Sequence, residues 1–357
     1  MSARNAPIRP TWAPGRKAWI DVAKGVAIFL VVLYHSTLYL GAAGMPGLPV
    51  IAKVPLELFP MPAFFVLAGL VSSRTVTFGF GDLLRRRVLP MLYLYAVWSA
   101  IRFLFFLVMP GTISNLGDLP ANSIVTLALI FVWPSSSYWF LYALALFTVG
   151  AWLIRRTPAW IAVGAAAVLS AVVSSGMLQT GNVGWDRVLG LFFFYLVGIH
   201  FSKRITGWVQ RGGTWTGPAL LLAFAAFVAG AVLLGVRGVP GVALVGQLLA
   251  LAAGFALAQL FTRSPASAFL LHWGTSSLHI YLYHLFIIIP IAAIVAAIGW
   301  EAPRWAGLLI QVAVTILAVL ASLAIMWWTG RARWLLIPPR AWTRPRQVKT
   351  SSPRSTA

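Results

Sequence analysis

Three ionisable side chains in the first apolar segment have the spacing needed for chemistry inside a membrane. Asp21 and Lys24 lie near the start of this segment, and His35 follows Lys24 by eleven residues. Eleven residues of α-helix bring His35 back to within about 20° of Lys24, with a rise of about 16 Å, and Asp21 lies within about 60° of both. The spacing therefore predicts one polar helix face, which must lie against protein or water rather than lipid.

The chemistry expected of this face depends on the imidazole of His35. An ionisable side chain within a membrane is costly, so His35 is a candidate functional residue. The alternative is structural: Asp21 and Lys24 form an ion pair while His35 bonds a neighbouring helix, since polar side chains commonly hold membrane helices together. The sequence leaves these alternatives open.

A second set of candidates lies in the segment from Ser277 to His284. Tyr281 and His284 are three residues apart and share a helix face, so both are expected to line a cavity. His279 points about 140° away from His284 and is expected to be structural.

Three further residues are expected at a cavity wall. Glu57 precedes Pro60 and Pro62, which predict a helix break of the kind tolerated beside a cavity. Arg102, within an apolar segment, either extends to the membrane surface or lines a cavity. Trp139 is a candidate wall residue, although aromatic packing would explain it equally.

A basic cluster, Arg85–Arg86–Arg87, lies just before Pro90. Arginine presents paired planar donors that match phosphate oxygens, so the cluster is a candidate phosphate-binding site. The competing interpretation is that the three arginines only anchor the helix at the cytoplasmic membrane surface.

The composition indicates that most of the chain is surrounded by membrane lipid rather than water. Of its 357 residues, 60% are hydrophobic and 9% are charged, whereas a soluble domain carries about a quarter charged residues. Continuous rather than alternating apolar runs predict an all-α, polytopic transmembrane bundle of about ten helices. The predicted helices are Ala18–Leu40, Val54–Ser72, Val88–Met109, Tyr138–Ile154, Ala159–Gly176, Arg187–Phe201, Trp215–Gly235, Gly241–Phe261, Ser277–Ile298 and Trp305–Trp328.

Loop charges predict the orientation of this bundle. The termini and the loops on their side hold 21 of the 27 Lys and Arg residues, and the opposite loops hold four. The positive-inside rule then places both termini in the cytoplasm and the chain in the plasma or inner membrane of the cell. The net charge of +21 reflects this orientation and attraction to anionic membrane lipid, so no nucleic-acid partner is expected.

Composition also limits the domains and cofactors. We expect a basic cytoplasmic N-terminus at 1–17, a membrane domain at 18–329 and a basic, disordered tail at 330–357. There is no Cys, and five scattered His with six acidic residues provide no ligand set, so no metal site is expected. A homo-oligomer is compatible with the sequence.

These motifs, taken in order, resemble the acyltransferase 3 family of integral-membrane acyl-CoA-dependent acyltransferases. The resemblance runs from about Lys17 to about Trp328, and one position departs from it: Leu84 occupies the place of the first arginine in the family's Arg-x-x-Arg. The similar segments are Asp21 to His35 with its Lys-x10-His spacing, Met61–Gly69, the arginines with Arg87–Pro90, Trp139–Leu141 and Ser277–His284.

The resemblance implies transfer of an acyl group, with acetyl as the expected one, from acyl-CoA to a hydroxyl of a carbohydrate or lipid-linked glycan, such as a cell-surface glycan. Acyl-CoA would be a co-substrate, and no bound cofactor is implied. His35 would be the catalytic base or acyl carrier, Asp21 would orient Lys24, and Arg85–Arg87 would hold the phosphates of the coenzyme. The alternative function is a multi-pass transporter or flippase for a lipid-linked sugar or small solute, although membrane carboxylates for proton coupling are scarce.

The basic cluster yields the first prediction. Replacing Arg85, Arg86 and Arg87 together with Gln is expected to weaken the affinity for acyl-CoA, because three potential phosphate donors are removed. Equilibrium binding of acyl-CoA to the purified protein measures this change. Unchanged binding combined with poor membrane insertion would instead establish the arginines as anchors.

Overall fold

The computed structural model describes residues 17–109, 119–265, 267–299, 302–329, 332–339 and 342. All regular structure within these residues is helical, as the sequence predicts. Of the two predicted cytoplasmic segments, the structure describes Lys17 in the first and residues 332–339 and 342 in the second, where Arg333–Leu335 form a single 3-10 turn.

The described residues form fourteen α-helices. In chain order they are α1 Ala18–Ala42, α2 Val50–Leu58, α3 Pro60–Ser72, α4 Phe80–Leu83, α5 Leu89–Val108, α6 Ile124–Ala128, α7 Trp139–Leu153, α8 Ala159–Ser174, α9 Val183–Arg211, α10 Thr216–Leu233, α11 Val242–Phe261, α12 Ser267–Thr275, α13 Ser277–Ile298 and α14 Arg304–Thr329.

The described part of the chain contains eight helical stretches that are long and apolar enough to cross a membrane. Two of them are composite, because α2 with α3 and α4 with α5 each form one stretch. The remaining two predicted segments correspond to α7 and α8, which are apolar but shorter. All ten predicted segments are therefore helical, in a polytopic helical bundle.

Two boundaries differ from the prediction. The sixth segment was expected at Arg187–Phe201, but α9 extends from Val183 to Arg211. Its start is set by Asn182, whose side-chain oxygen accepts a hydrogen bond from the Trp185 backbone N–H at 2.9 Å. In addition, the expected loop after α11 contains α12, which packs against α1.

Helix α1 is central, because α3, α11, α12, α13 and α14 all pack against it. At the α1–α12 contact a Cβ on Gly25 would clash with the carbonyl oxygen of Leu270, and one on Gly274 with that of Asp21. Both glycines are needed for the two backbones to approach this closely, as is common between membrane helices.

The crossing of α3 and α9 depends on a second glycine pair. A Cβ on Gly69 would clash with the carbonyl oxygen of Tyr195, and a Cβ on Gly198 with that of Val66. Each glycine also lies against the other helix's backbone, so neither can be enlarged without separating the two helices.

Prolines explain two interruptions in the helices. Pro60 and Pro62 begin α3 directly after α2 ends at Leu58, which confirms the predicted break. Before α5, residues Leu84–Val88 form a π-helical turn. Pro90 lacks an N–H and its ring crowds the carbonyl four residues earlier, which accounts for the widened turn.

The glycine contact between α3 and α9 gives a stability prediction. Gly198→Ala is expected to lower stability by about 1–3 kcal/mol, because the new methyl group overpacks the interface. Gly230→Ala in α10 is the matched control, since no atom of the described residues lies within 4 Å of the added Cβ. Thermal unfolding of the detergent-purified variants measures the difference, and equal midpoints for the two would contradict the packing argument.

Candidate active site

Three cavities adjoin along one face of α1. The lysine cavity, of about 420 Å³, is lined by Lys17, Asp21 and Lys24 at the start of the helix. The apolar cavity, of about 200 Å³, is lined by Lys24, Ile28 and Val31 of the same helix. The histidine cavity, of about 330 Å³, is lined by Val31, Tyr34 and His35.

The lining residues of α1 recur at steps of three and four, so they occupy a single face of the helix. Lys24 and Val71 belong to both the lysine and the apolar cavities. Val31 and Met61 belong to both the apolar and the histidine cavities. The predicted common face of Lys24 and His35 is therefore lined by cavities along its whole length.

His35 meets a second imidazole within the bundle. The Nε2 atom of His284 lies 3.3 Å from Nδ1 of His35, and the two ring centroids are 5.0 Å apart. His284 is 1% exposed, whereas His35 is partly exposed where it lines its cavity. The sequence predicted that His284 lines a cavity, but it lines none of the three, and its ring instead packs against that of His35.

Backbone carbonyls fix which ring nitrogens carry hydrogen. His35 Nδ1 lies 2.9 Å from the Val31 carbonyl oxygen, and His284 Nδ1 lies 3.0 Å from that of Ile280. A carbonyl only accepts, so each Nδ1 must be the protonated nitrogen of a neutral ring. The one Nδ1–H of His35 is then shared between the Val31 carbonyl oxygen and Nε2 of His284, and the lone pair of His35 lies on its own Nε2.

Tyr281 and Trp139, both expected at cavity walls, line two adjoining cavities. The Tyr281 hydroxyl donates to the Ser137 carbonyl oxygen at 2.9 Å, and its ring lies 6.3 Å from that of His284. Tyr281 lines the apolar cavity and Trp139 the histidine cavity. The two aromatic residues therefore shape the space on both sides of Val31.

The histidine cavity also contains polar residues from other helices. Glu57 and the two prolines of the α2–α3 break line it, together with Gln247 of α11 and Arg187 of α9. The Arg187 guanidinium lies over the Trp139 ring, 5.1 Å from its centroid, and interacts electrostatically with His35. The buried Oε1 of Gln247 has no hydrogen-bond partner among the described residues.

Sequence reasoning missed Arg187 and Gln247. Arg187 was assigned to an outer loop because the predicted helix began at that residue, whereas α9 begins one turn earlier. Asn182 is the signal that could have found it, since an Asn before an apolar run is a common N-cap. Gln247 lies within an apolar segment and should have been suspected on that ground.

Asp21 and Lys24 lie together at the lysine end of the α1 face. Their side chains are 3.8 Å apart, and Asp21 is 2% exposed. The carboxylate lies beside the close α1–α12 contact, where Gly274 packs on the Asp21 backbone. The structural interpretation of this pair and the proposed orienting role both agree with this geometry.

The structure does not bring the arginine cluster to the cavities. Arg86 forms an ion pair with Asp82 at 3.6 Å, in which both side chains are about half exposed. None of Arg85, Arg86 and Arg87 lines the lysine, apolar or histidine cavity. Their proposed role in binding acyl-CoA stays a prediction.

Arg102 is also separate from the three cavities. It is 4% exposed, so it does not extend to the protein surface, and its guanidinium lies 5.0 Å from the centroid of the Phe106 ring. It interacts electrostatically with Tyr39, Tyr95 and Tyr138. Arg102 therefore lies in the interior near α1, α5 and the start of α7 rather than at the protein surface.

Comparison with known proteins identifies the family of the chain. A sequence profile described as an acyltransferase domain, that of the acyltransferase 3 family, matches residues 17–327. The match begins at the lysine cavity and extends through nearly all of α14. No curated protein and no solved structure matches the chain. The chain belongs to the acyltransferase 3 family and is a membrane acyltransferase.

Proposed function

We propose that the protein transfers an acyl group from acyl-CoA to a hydroxyl of a carbohydrate or glycan acceptor. The observation that carries the proposal is the position of His35: its basic nitrogen belongs to a ring that lines a cavity, and that cavity adjoins the apolar and lysine cavities. Acetyl-CoA is the donor to test first.

The lysine cavity and the histidine cavity, at the two ends of the polar face of α1, suit different substrates. Positive side chains at the lysine cavity favour the polyanionic coenzyme, and the charge asymmetry of the loops places this end in the cytoplasm. The histidine cavity offers Trp139, Glu57, Arg187 and Gln247, an aromatic surface with donors and acceptors for sugar hydroxyls. The acceptor would therefore bind on the far side of His35 from the coenzyme.

In the direct route, His35 is the only residue that has to carry a proton. In direct transfer, Nε2 takes the proton of the acceptor hydroxyl while the oxygen attacks the thioester carbon. Collapse of the tetrahedral intermediate breaks the carbon–sulfur bond, and the imidazolium returns its proton to the departing thiolate to give CoA–SH. The Arg187 guanidinium would stabilise the negative charge on the thioester oxygen in the intermediate.

The same nitrogen supports an acyl-imidazole route. Nε2 would attack the thioester carbon and CoA would leave as a thiolate, which leaves a positively charged acyl-imidazolium on His35. The acceptor hydroxyl would then take the acyl group from Nε2 while its proton passes to the thiolate, which gives CoA–SH and restores the neutral ring. In both routes His284 holds the ring of His35 through the Nδ1–H bond and stabilises the positive charge that develops on it. His284 is therefore a positioning residue, in the manner of the third member of a catalytic triad.

One assay tests the proposed activity. Purified protein is incubated with acetyl-CoA labelled in its acetyl group and with a glycan extract of the membrane. Label in the glycan supports transfer, and label held on the protein before acceptor is added supports the acyl-imidazole route. Uptake of a solute into proteoliposomes without label transfer would contradict the proposal and favour a transporter.

His35→Ala is expected to abolish transfer, because no other described imidazole lines the histidine cavity. The matched control is His272→Ala, which removes an exposed imidazole from α12 and should leave activity near that of the unchanged protein. Label transfer is the measurement, with size-exclusion chromatography confirming that both variants are folded. Near-normal product from His35→Ala would end the catalytic assignment.

His284→Ala is expected to lower kcat by about 10²-fold with little change in the KM for acyl-CoA, because the ring of His35 loses the side-chain acceptor that shares its Nδ1–H with the Val31 carbonyl oxygen. His284→Gln should recover part of the lost rate, since its Oε1 can accept from His35 Nδ1–H. Steady-state kinetics of the two variants measure this. Equal losses for Ala and Gln, accompanied by reduced thermal stability, would show that His284 acts only in packing.

A further inference from the structure

The lysine cavity is lined by three lysines that come from two distant parts of the sequence. Lys17 and Lys24 face Lys203 of α9 across it, and Asp21 is the one carboxylate that the described residues contribute to its lining. Ser202 and Thr206 add hydroxyl groups to the same wall. Three ammonium groups with neighbouring hydroxyls around a space of about 420 Å³ match the chemistry of phosphate esters.

A kink in α9 brings Lys203 to this cavity. Phe201 has non-helical backbone angles, φ −110° and ψ 19°, which divide α9 into two parts. The part after the kink carries Ser202, Lys203 and Thr206 towards the α1 face. Gly198, which packs against α3, lies three residues before the kink. This contact fixes the part of α9 that directly precedes Lys203.

The separation of this cavity from His35 fits the reach of the coenzyme. Lys24 and His35 are eleven residues apart on one helix, a rise of about 16 Å. The pantetheine arm is a chain of about a dozen bonds from its phosphate ester to its sulfur, comparable to four residues of extended backbone and therefore roughly 14 Å long. A thioester placed at His35 would leave its phosphates at the level of Lys24.

The apolar cavity lies between these two points. Ile28, Val31, Leu67 and Phe140 are among its lining residues, and it shares Lys24 with one neighbour and Val31 with the other. A space of about 200 Å³ with such walls accommodates a narrow, largely uncharged arm rather than a nucleotide.

We propose that Lys17, Lys24 and Lys203 bind the phosphate groups of the acyl-CoA donor, with the pantetheine arm in the apolar cavity. The proposal rests on the proposed function and adds Lys17 and Lys203, which no motif identified, to Lys24 of the Lys-x10-His motif. It does not depend on the predicted role of Arg85, Arg86 and Arg87, which line none of the three cavities.

The experiment compares two acetyl donors with and without phosphates. Acetyl-CoA carries them, whereas S-acetyl-N-acetylcysteamine keeps the thioester and the end of the arm but has none. The variants are Lys17→Gln, Lys203→Gln and their combination, in the full-length protein reconstituted in zwitterionic lipid. Arg204→Gln is the matched control, because it removes one positive charge from the adjacent, equally exposed position of α9, which does not line the lysine cavity.

The double variant is expected to raise the KM for acetyl-CoA at least tenfold, and each single variant to raise it less. The kcat of the double variant and its kinetics with S-acetyl-N-acetylcysteamine should stay close to those of the unchanged protein. Arg204→Gln should resemble the unchanged protein with both donors. An equal loss with both donors would overturn the proposal, since it would show that the lysines support structure rather than bind phosphate.

Anionic lipid is a second source of phosphate for the same three lysines. The double variant is therefore also assayed for binding to vesicles with and without phosphatidylglycerol. Weaker vesicle binding with an unchanged KM for acetyl-CoA would assign the site to lipid and overturn the proposal. If the unchanged protein transfers acetyl from neither donor, the proposed function fails, whereas transfer with unaltered kinetics in the lysine variants refutes only this donor site.

Discussion

The structure depends on the cost of placing ionisable groups within an apolar bundle. Asp21, Lys24 and His35 lie on one face of α1, and lipid cannot solvate them. Helices must therefore surround α1, and α3, α11, α12, α13 and α14 all pack against it. The polar face is left with cavities rather than side-chain packing along its length, which is where substrates can reach it.

Close helix contacts make this arrangement specific. Glycine pairs hold α1 against α12 at the lysine end and α3 against α9 near the middle of the bundle. The first contact orients the segment that carries Asp21 and Lys24. The second fixes α9 against α3, and α9 contributes Arg187 to the histidine cavity and Lys203 to the lysine cavity. Helix α9 thus supplies one cationic side chain to the histidine cavity and one to the lysine cavity.

Much of the fold and the centre of the site followed from the sequence, because hydrophobic length and helical periodicity are local properties. The common face of Lys24 and His35, the break at Pro60 and the cavity positions of Glu57, Trp139 and Tyr281 are all present in the structure. Contacts between distant segments were less accessible. The approach of His284 to His35 depends on how α13 packs on α1, which no spacing within either helix reveals.

The residues missed by sequence analysis share a physical cause. Arg187 and Lys203 were counted as loop charges, since a charged residue next to an apolar run is normally taken as the end of a membrane helix. Helix α9 instead continues past both, because Asn182 caps it earlier and the kink at Phe201 is absorbed without ending it. Conversely, Arg85 to Arg87 formed the most conspicuous basic motif, yet the π-helical turn before Pro90 leaves them outside the three cavities.

The order of the cavities bears on how a thioester could be transferred rather than hydrolysed. A charged coenzyme requires a solvated binding site, but water at the reacting carbon would compete with the acceptor hydroxyl. The apolar cavity separates the lysine cavity from His35 by about 16 Å of helix, so a bound arm in that space would displace water from the route between them. At the other end of the apolar cavity, Val31 and Met61 also line the histidine cavity. The acyl group would meet the basic nitrogen of His35 beside these two residues. With water displaced, the acceptor would be the hydroxyl compound best placed to react with the thioester. The polar residues of the histidine cavity, including Arg187 and Gln247, would then determine which acceptor binds there.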